Sequence, residues 1–194
     1  MKRCVIARGM VGLILLGGGF VLGRAWPEAA PSLAQAPPAG AGAEERVRAL
    51  KLELPKQKAP TNTLVAAVRA GDLLFVSGTG PTKGDGTIWL GRLGQDLDVK
   101  QGQQAARQVG LNILSVVRDE LGSLDKVVRV VKTLGMVNAT AEFKQHPQVI
   151  NGFSDLMVEV FGEAAGKGAR SAVGMASLPG GIPVEVEVIF EVRK

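Results

Sequence analysis

The 194-residue chain has no tyrosine, one histidine and one cysteine, and its aromatic residues are limited to six Phe and two Trp. A nucleic-acid binder that stacks bases needs aromatic platforms, and there is almost no material for them. A single imidazole cannot assemble a zinc site or a histidine-based triad with partners of its own kind. That histidine, His146, stands immediately before Pro147, a place that suits the start of a surface helix. The lone cysteine, Cys4, falls in the first few residues. Disulfides, thiolate catalysis and cysteine–metal sites are therefore excluded for everything that follows it.

A strong charge of one sign is also missing. The formal charge is +5, but Lys2, Arg3, Arg8 and Arg24 against Glu28 put +3 of it in the first 36 residues and leave +2 for the rest. The remaining Lys and Arg are interspersed with acids, the pattern of a solvated surface and not of a phosphate-binding stripe. No nucleic-acid partner is expected.

No apolar run reaches the roughly 20 residues that span a bilayer as a helix. The longest, Met10–Gly23, has 14 residues, follows a basic start, and is followed by Ala34-Gln35-Ala36. These are the parts of a secretory signal peptide. The expectation is a leader over 1–36, a Pro/Gly/Ala-rich linker over 37–59 with one helical turn near 44–50, and a domain over 60–194 in the periplasm or outside the cell. A membrane association would run only through an uncleaved leader.

The domain segment has the content of one ordinary core. "LVAAVRAGDLLFVSG" reads as a hairpin turning at Ala70-Gly71-Asp72, and a short strand is expected near Ile88. Apolar residues at 105, 109, 113, 116 and 117 recur at helical spacing up to a stop at Gly122, and a second helix runs from Pro147 to Gly162. A Val-rich strand occupies 125–137. The chain closes with a strand over 170–176, the turn "LPGGIP", and a strand in which Val184, Val186, Val188, Phe190 and Val192 alternate with Glu185, Glu187, Ile189 and Glu191. Two hairpins and two helices feeding one sheet make an α+β layer with the helices on one face. "GTGPTKGDG" lacks the spacing of a phosphate loop and reads as a surface loop with Lys83 exposed, and Asn138-Ala139-Thr140 satisfies the N-glycosylation pattern.

The residues left to carry chemistry are Arg170 and Glu185. Composition alone reads them as an ion pair or as outward-facing strand residues. However, "ARS" at 169–171, "LP" at 178–179 and "VEVE" at 184–187 together resemble the C-terminal signature of the YjgF/Rid (reactive intermediate deaminase) family. "GDLLFVSGTGP" and "LGSLDKVVRVVKTLGMV" are similar to its first hairpin and central strand. The resemblance implies a chorismate-mutase-like fold and a homotrimer with clefts between subunits. It also implies that Arg170 binds the carboxylate of a 2-imino or enamino acid while Glu185 positions a water. Ser77 and Asn151 match positions that line the family's cleft. No cofactor or metal is implied. Deaminating members carry an aromatic hydroxyl where this chain has Leu64. Three readings therefore stand: an imine or enamine hydrolase, a non-catalytic trimer that binds a small carboxylate, and a chorismate-mutase-like enzyme.

Overall fold

The computed structural model describes residues 40–56 and 63–194. The leader, its cleavage site and Cys4 lie outside the described residues. The described residues fall within one compact unit. Its elements are α1 (Ala43–Ala49), β1 (Ala67–Ala70), β2 (Leu73–Thr79), α2 (Val99–Leu121), β3 (Val127–Asn138), α3 (His146–Phe161), a single turn α4 (Glu163–Gly166), β4 (Ala169–Met175) and β5 (Val184–Val192). The five strands form one sheet in the order β1-β2-β5-β3-β4. All neighbours are antiparallel except β3 and β4, which run parallel and are joined through α3.

The sequence sets the ends of α2 tightly. Asp98 accepts from the Gln101 N–H and the Gln101 side chain accepts from the Asp98 N–H, a capping box, while Gly122 ends the helix at φ 77°. The long β5 buries every second residue from Val184 to Val192, as its alternation predicts, so one face of the sheet is dry and covered by α2 and α3. Phe153 and Phe190, both fully buried, are among the largest side chains in this layer.

Two expectations need correction. The last two strands are not a hairpin: β3 lies between β4 and β5 and pairs with both. Parallel strands need a long crossover, and α3 supplies it, so β4 is the partner of β3 and an edge of the sheet. Near Ile88 there is only an isolated bridge to Thr82, with the Ile88 side chain exposed.

The segment read as linker carries α1, which buries Ala43 and Val47. Glu44 holds the helix in place through a two-pronged bond to Arg118 (2.8 and 3.0 Å) and by accepting the Leu124 N–H at 2.9 Å. Another buried polar contact fixes the loop after β2: Asn112, fully buried on α2, donates to the Gly80 carbonyl at 2.9 Å and accepts from Gln108. Asn138 of the glycosylation pattern is 8% exposed and its amide donates to the Ile182 carbonyl, so the folded chain does not present it for modification. Among the described residues no helix is long and apolar enough to cross a membrane, and no cluster of His, Cys, Asp or Glu could hold a metal ion.

Candidate functional site

Strand pleating decides where each candidate side chain goes. In the parallel register Arg170 lies beside Thr133, whose own partner on the other side is Val188, buried under the helices. Arg170 therefore stands on the helix-covered face, at the sheet's open edge. Its Nη1 donates to Asn151 Oδ1 at 2.9 Å and to Ser154 Oγ at 3.0 Å. These two acceptors are three residues apart on α3, hence on one face of the helix. They hold one terminal nitrogen and leave the rest of the guanidinium fork open, and among the described residues Arg170 makes no ion pair. A shallow groove of about 250 Å³ between β4 and α3 runs past Ser154, Gly168 and Arg170.

Glu185 lies beside Met136 in the β3–β5 register and points to the opposite, open face of the sheet. The register of β2 against β5 shifts between Val76 and Thr79, and Gly78, within that shift, lies against the Glu185 carboxylate. A Cβ on Gly78 would overlap Glu185 Oε1, so a larger residue there would push the carboxylate out of this position. Burial, and then the like charge of Glu187, raises the Glu185 carboxyl above its ordinary value. Ser77 is beside Gly78 on the same strand, and its hydroxyl donates to the Val65 carbonyl at 2.7 Å. A pocket of about 260 Å³ on this open face is lined by Phe75, Ser77, Lys132 and Glu187 among others.

The four candidates thus fall into two groups. Arg170 meets Asn151 at the sheet edge on the helix side, and on the other side Glu185 lies against Gly78, the neighbour of Ser77. No ion pair joins Arg170 to Glu185 among the described residues, which removes the reading of the two as a structural pair. Glu191 does serve that role, pairing with Arg129 at 3.1 Å. Sequence reasoning missed Ser154 and Gly78. The first was visible as a hydroxyl three residues after Asn151 on a helix; the second depended on an irregular register that no local pattern encodes.

The open face also carries apolar side chains without cover. Val68 and Phe75, opposite each other on β1 and β2, are 53% and 40% exposed, and Val173 on β4 is 40% exposed. A sheet face of this kind marks an interaction surface more often than a free one.

Comparison with known proteins agrees with this fold. The family described as "YjgF/chorismate_mutase-like, putative endoribonuclease" matches residues 44–180. Protein TCP17 of Trypanosoma cruzi is 43% identical over 144 residues, covering 74% of this chain and 90% of that protein. The crystal structure of Atu1372 from Agrobacterium tumefaciens is 40% identical, with a TM-score of 0.71 over 78% of this chain and 94% of that one. A structure from Shewanella oneidensis MR-1 bearing the same endoribonuclease description is 28% identical and superposes with a TM-score of 0.74 over 78% of this chain and all of the other. The match begins at Glu44, within α1, so the helix read as linker is part of the matched region. On the extent of these matches and the shared five-stranded architecture, the chain belongs to the YjgF/chorismate mutase-like family.

Proposed function

We propose that copies of this chain assemble into a ring, a trimer by family resemblance, whose inter-chain clefts hydrolyse 2-imino or enamino acids to 2-keto acids and ammonia. The observation that carries the reading is Arg170: a guanidinium at a sheet edge, fixed at one nitrogen by Asn151 and Ser154 and unpaired by any acid among the described residues. Such a group is prepared to take a carboxylate with its remaining donors. Glu185 has the complementary character, a half-buried carboxylate with a raised proton affinity next to a glycine.

In the reaction, a 2-iminium acid bound through its carboxylate to Arg170 presents its C=N carbon to a water held by Glu185. The water oxygen bonds to that carbon and a water proton passes to the carboxylate. Returning that proton to the nitrogen of the carbinolamine lets the C–N bond break while the hydroxyl proton passes to the Glu185 carboxylate, which then gives it up to the departing ammonia, so iminium plus water becomes keto acid plus ammonium. Glu185 must be ionised to begin, and its raised affinity keeps it close to the range in which it can both take and return a proton. The open faces that bear Val68, Phe75 and Val173 are the surfaces that assembly would cover.

The direct test is ammonia release from enzymatically generated 2-iminopropionate by residues 40–194. Wild-type turnover is expected, with Arg170→Ala lowering kcat/KM by about a hundredfold or more. Unchanged hydrolysis in that variant would remove Arg170 from the mechanism. If the folded assembly binds small carboxylates saturably without turning over the imine, the non-catalytic reading replaces this one; Leu64, where deaminating members carry an aromatic hydroxyl, is the feature that favours it.

The pH profile gives a second test. A carboxylate that must be ionised loses activity as pH falls through its proton affinity, and that of Glu185 is raised by burial and by Glu187. Glu187→Gln removes the like charge, so the acid limb of kcat/KM is expected to move to lower pH. A limb that stays in place would mean that Glu185 is not the group titrating.

A further inference from the structure

At the far end of β4 from Arg170 is a second concavity whose ionisable lining side chains are all basic. Arg92, Lys144 and His146 converge on a cavity of about 380 Å³ whose wall is completed by Thr140, Phe143 and the β4 residues from Gly174 onward. No Asp or Glu contributes to the lining; Glu142, between Ala141 and Phe143 in sequence, is not part of it. Gly174 is four residues along β4 from Arg170, about 13 Å at the usual strand rise. The cavity is thus separate from the Arg170 groove, and none of its lining residues belongs to the machinery proposed above.

No basic side chain here is held by an ion pair of its own among the described residues. The Arg92 main chain is tied to Asp96, whose carboxylate accepts its N–H at 2.9 Å, and the backbone of residues 95–97 donates back to the Arg92 carbonyl. The Arg92 guanidinium nevertheless has its Nε shut away from solvent without an acceptor. Lys144 Nζ donates to the Ala141 carbonyl at 2.7 Å, which folds the ammonium back over the loop. His146 stacks edge-on against Phe143 at 5.3 Å between ring centroids. Its Nε2 sits against the bare backbone of Gly174, where a Cβ would come within 2.5 Å of it. Among the described residues neither Arg92 nor Lys144 forms an ion pair. Gathering like charges around a partly enclosed space is unfavourable unless an anion occupies it. The imidazole registers that cost: burial first, and Lys144 second, hold its proton affinity below the ordinary value.

We infer that this cavity binds the phosphoryl or sulfo group of a small molecule, with Arg92 and Lys144 as the charged partners and His146 and Thr140 as hydrogen-bond partners. A tetrahedral oxyanion offers several acceptor oxygens in different directions, which suits four donors arriving from two separate segments better than the planar pair of a carboxylate does. The volume exceeds what a bare oxyanion fills, leaving space for an organic body against Phe143 and Met175.

His146 is the only histidine of the chain, so its imidazole resonance is unambiguous. The probes are sulfate and phenyl phosphate, added at constant ionic strength against chloride. A saturable movement of the His146 ring signals at millimolar concentration is expected, weakened about tenfold in Arg92→Gln and in Lys144→Gln, each contributing one charge-assisted contact. Arg170→Ala should bind both probes as the unaltered chain does. Tighter binding of phenyl phosphate assigns the site to an ester, and equal binding assigns it to the free oxyanion; either supports the inference. A shift linear in sulfate, one that chloride reproduces, or one abolished by Arg170→Ala would overturn it. The backbone spectrum of each variant reports folding in the same experiment.

Discussion

Mixing two dead variants should restore activity. Arg170→Ala and Glu185→Ala, each inactive as a pure assembly, are expected to recover roughly a quarter of wild-type turnover when unfolded together at equal amounts and refolded as mixed rings. The argument is geometric. Arg170 is on the helix-covered face of its sheet and Glu185 is on the open face of the same sheet, so the sheet itself stands between the two side chains within one chain. A cleft that uses both must take the arginine half from one copy and the glutamate half from the next. In a random mixture a cleft is intact only when an arginine-bearing copy precedes a glutamate-bearing one, which has odds of about one in four in a cyclic assembly. The converse mixture separates this from a single-chain site. Wild type mixed equally with the Arg170→Ala/Glu185→Ala double variant should keep roughly a quarter of the clefts if the site is shared and roughly half if it is not. No recovery in verified mixed rings, with half activity in the converse experiment, would sink the two-chain site.

The same geometry explains how far the sequence could be read. The face of Glu185 was legible, because β5 alternates strictly and its valines claim the core. The face of Arg170 was not, because "ARSAVGM" has no clean alternation and its side depends on which strand it pairs with. That partner is β3, reached in parallel through α3, and nothing local to β4 distinguishes this from a hairpin with β5. The two long helices were legible from their spacing and their stops at Gly122 and Gly162. The short α1 is legible as little more than a turn because what holds it is remote in sequence, the bonds of Glu44 to Arg118 and to the Leu124 N–H. Gly78 and Ser154 were missed for the same reason: each matters only through a neighbour that folding brings.

Replacing Gly152 with alanine is expected to be the most damaging single-methyl change in the chain. Gly152 is on α3 between Asn151 and Phe153, at the crossing with α2, and a Cβ there would overlap the main-chain carbonyl of Gln103. Side chains can move away from an added methyl, but a helix backbone can yield only if the two helices separate. The crossing is close because α2 presents small residues at intervals of four, Gly102, Ala106 and Gly110, and because Gln103 reaches across to the Gln148 carbonyl at 3.0 Å. Gly152→Ala should cost about 3 kcal/mol, the upper end of overpacking, or about 10 °C in melting temperature for a domain of this size. Gly102→Ala is the control. Its Cβ would meet the methyls of Leu93 and Val149, which can rotate, so a smaller loss is expected. Equal losses in the two would mean that α2 and α3 are not in backbone contact. The functional consequence follows from where Gly152 sits. Asn151 and Ser154, on either side of it, hold the Arg170 guanidinium. Prising α3 from α2 moves both acceptors, so the variant that survives folding should also bind carboxylates more weakly, whereas Gly102→Ala, which meets only side-chain methyls, should weaken that binding less.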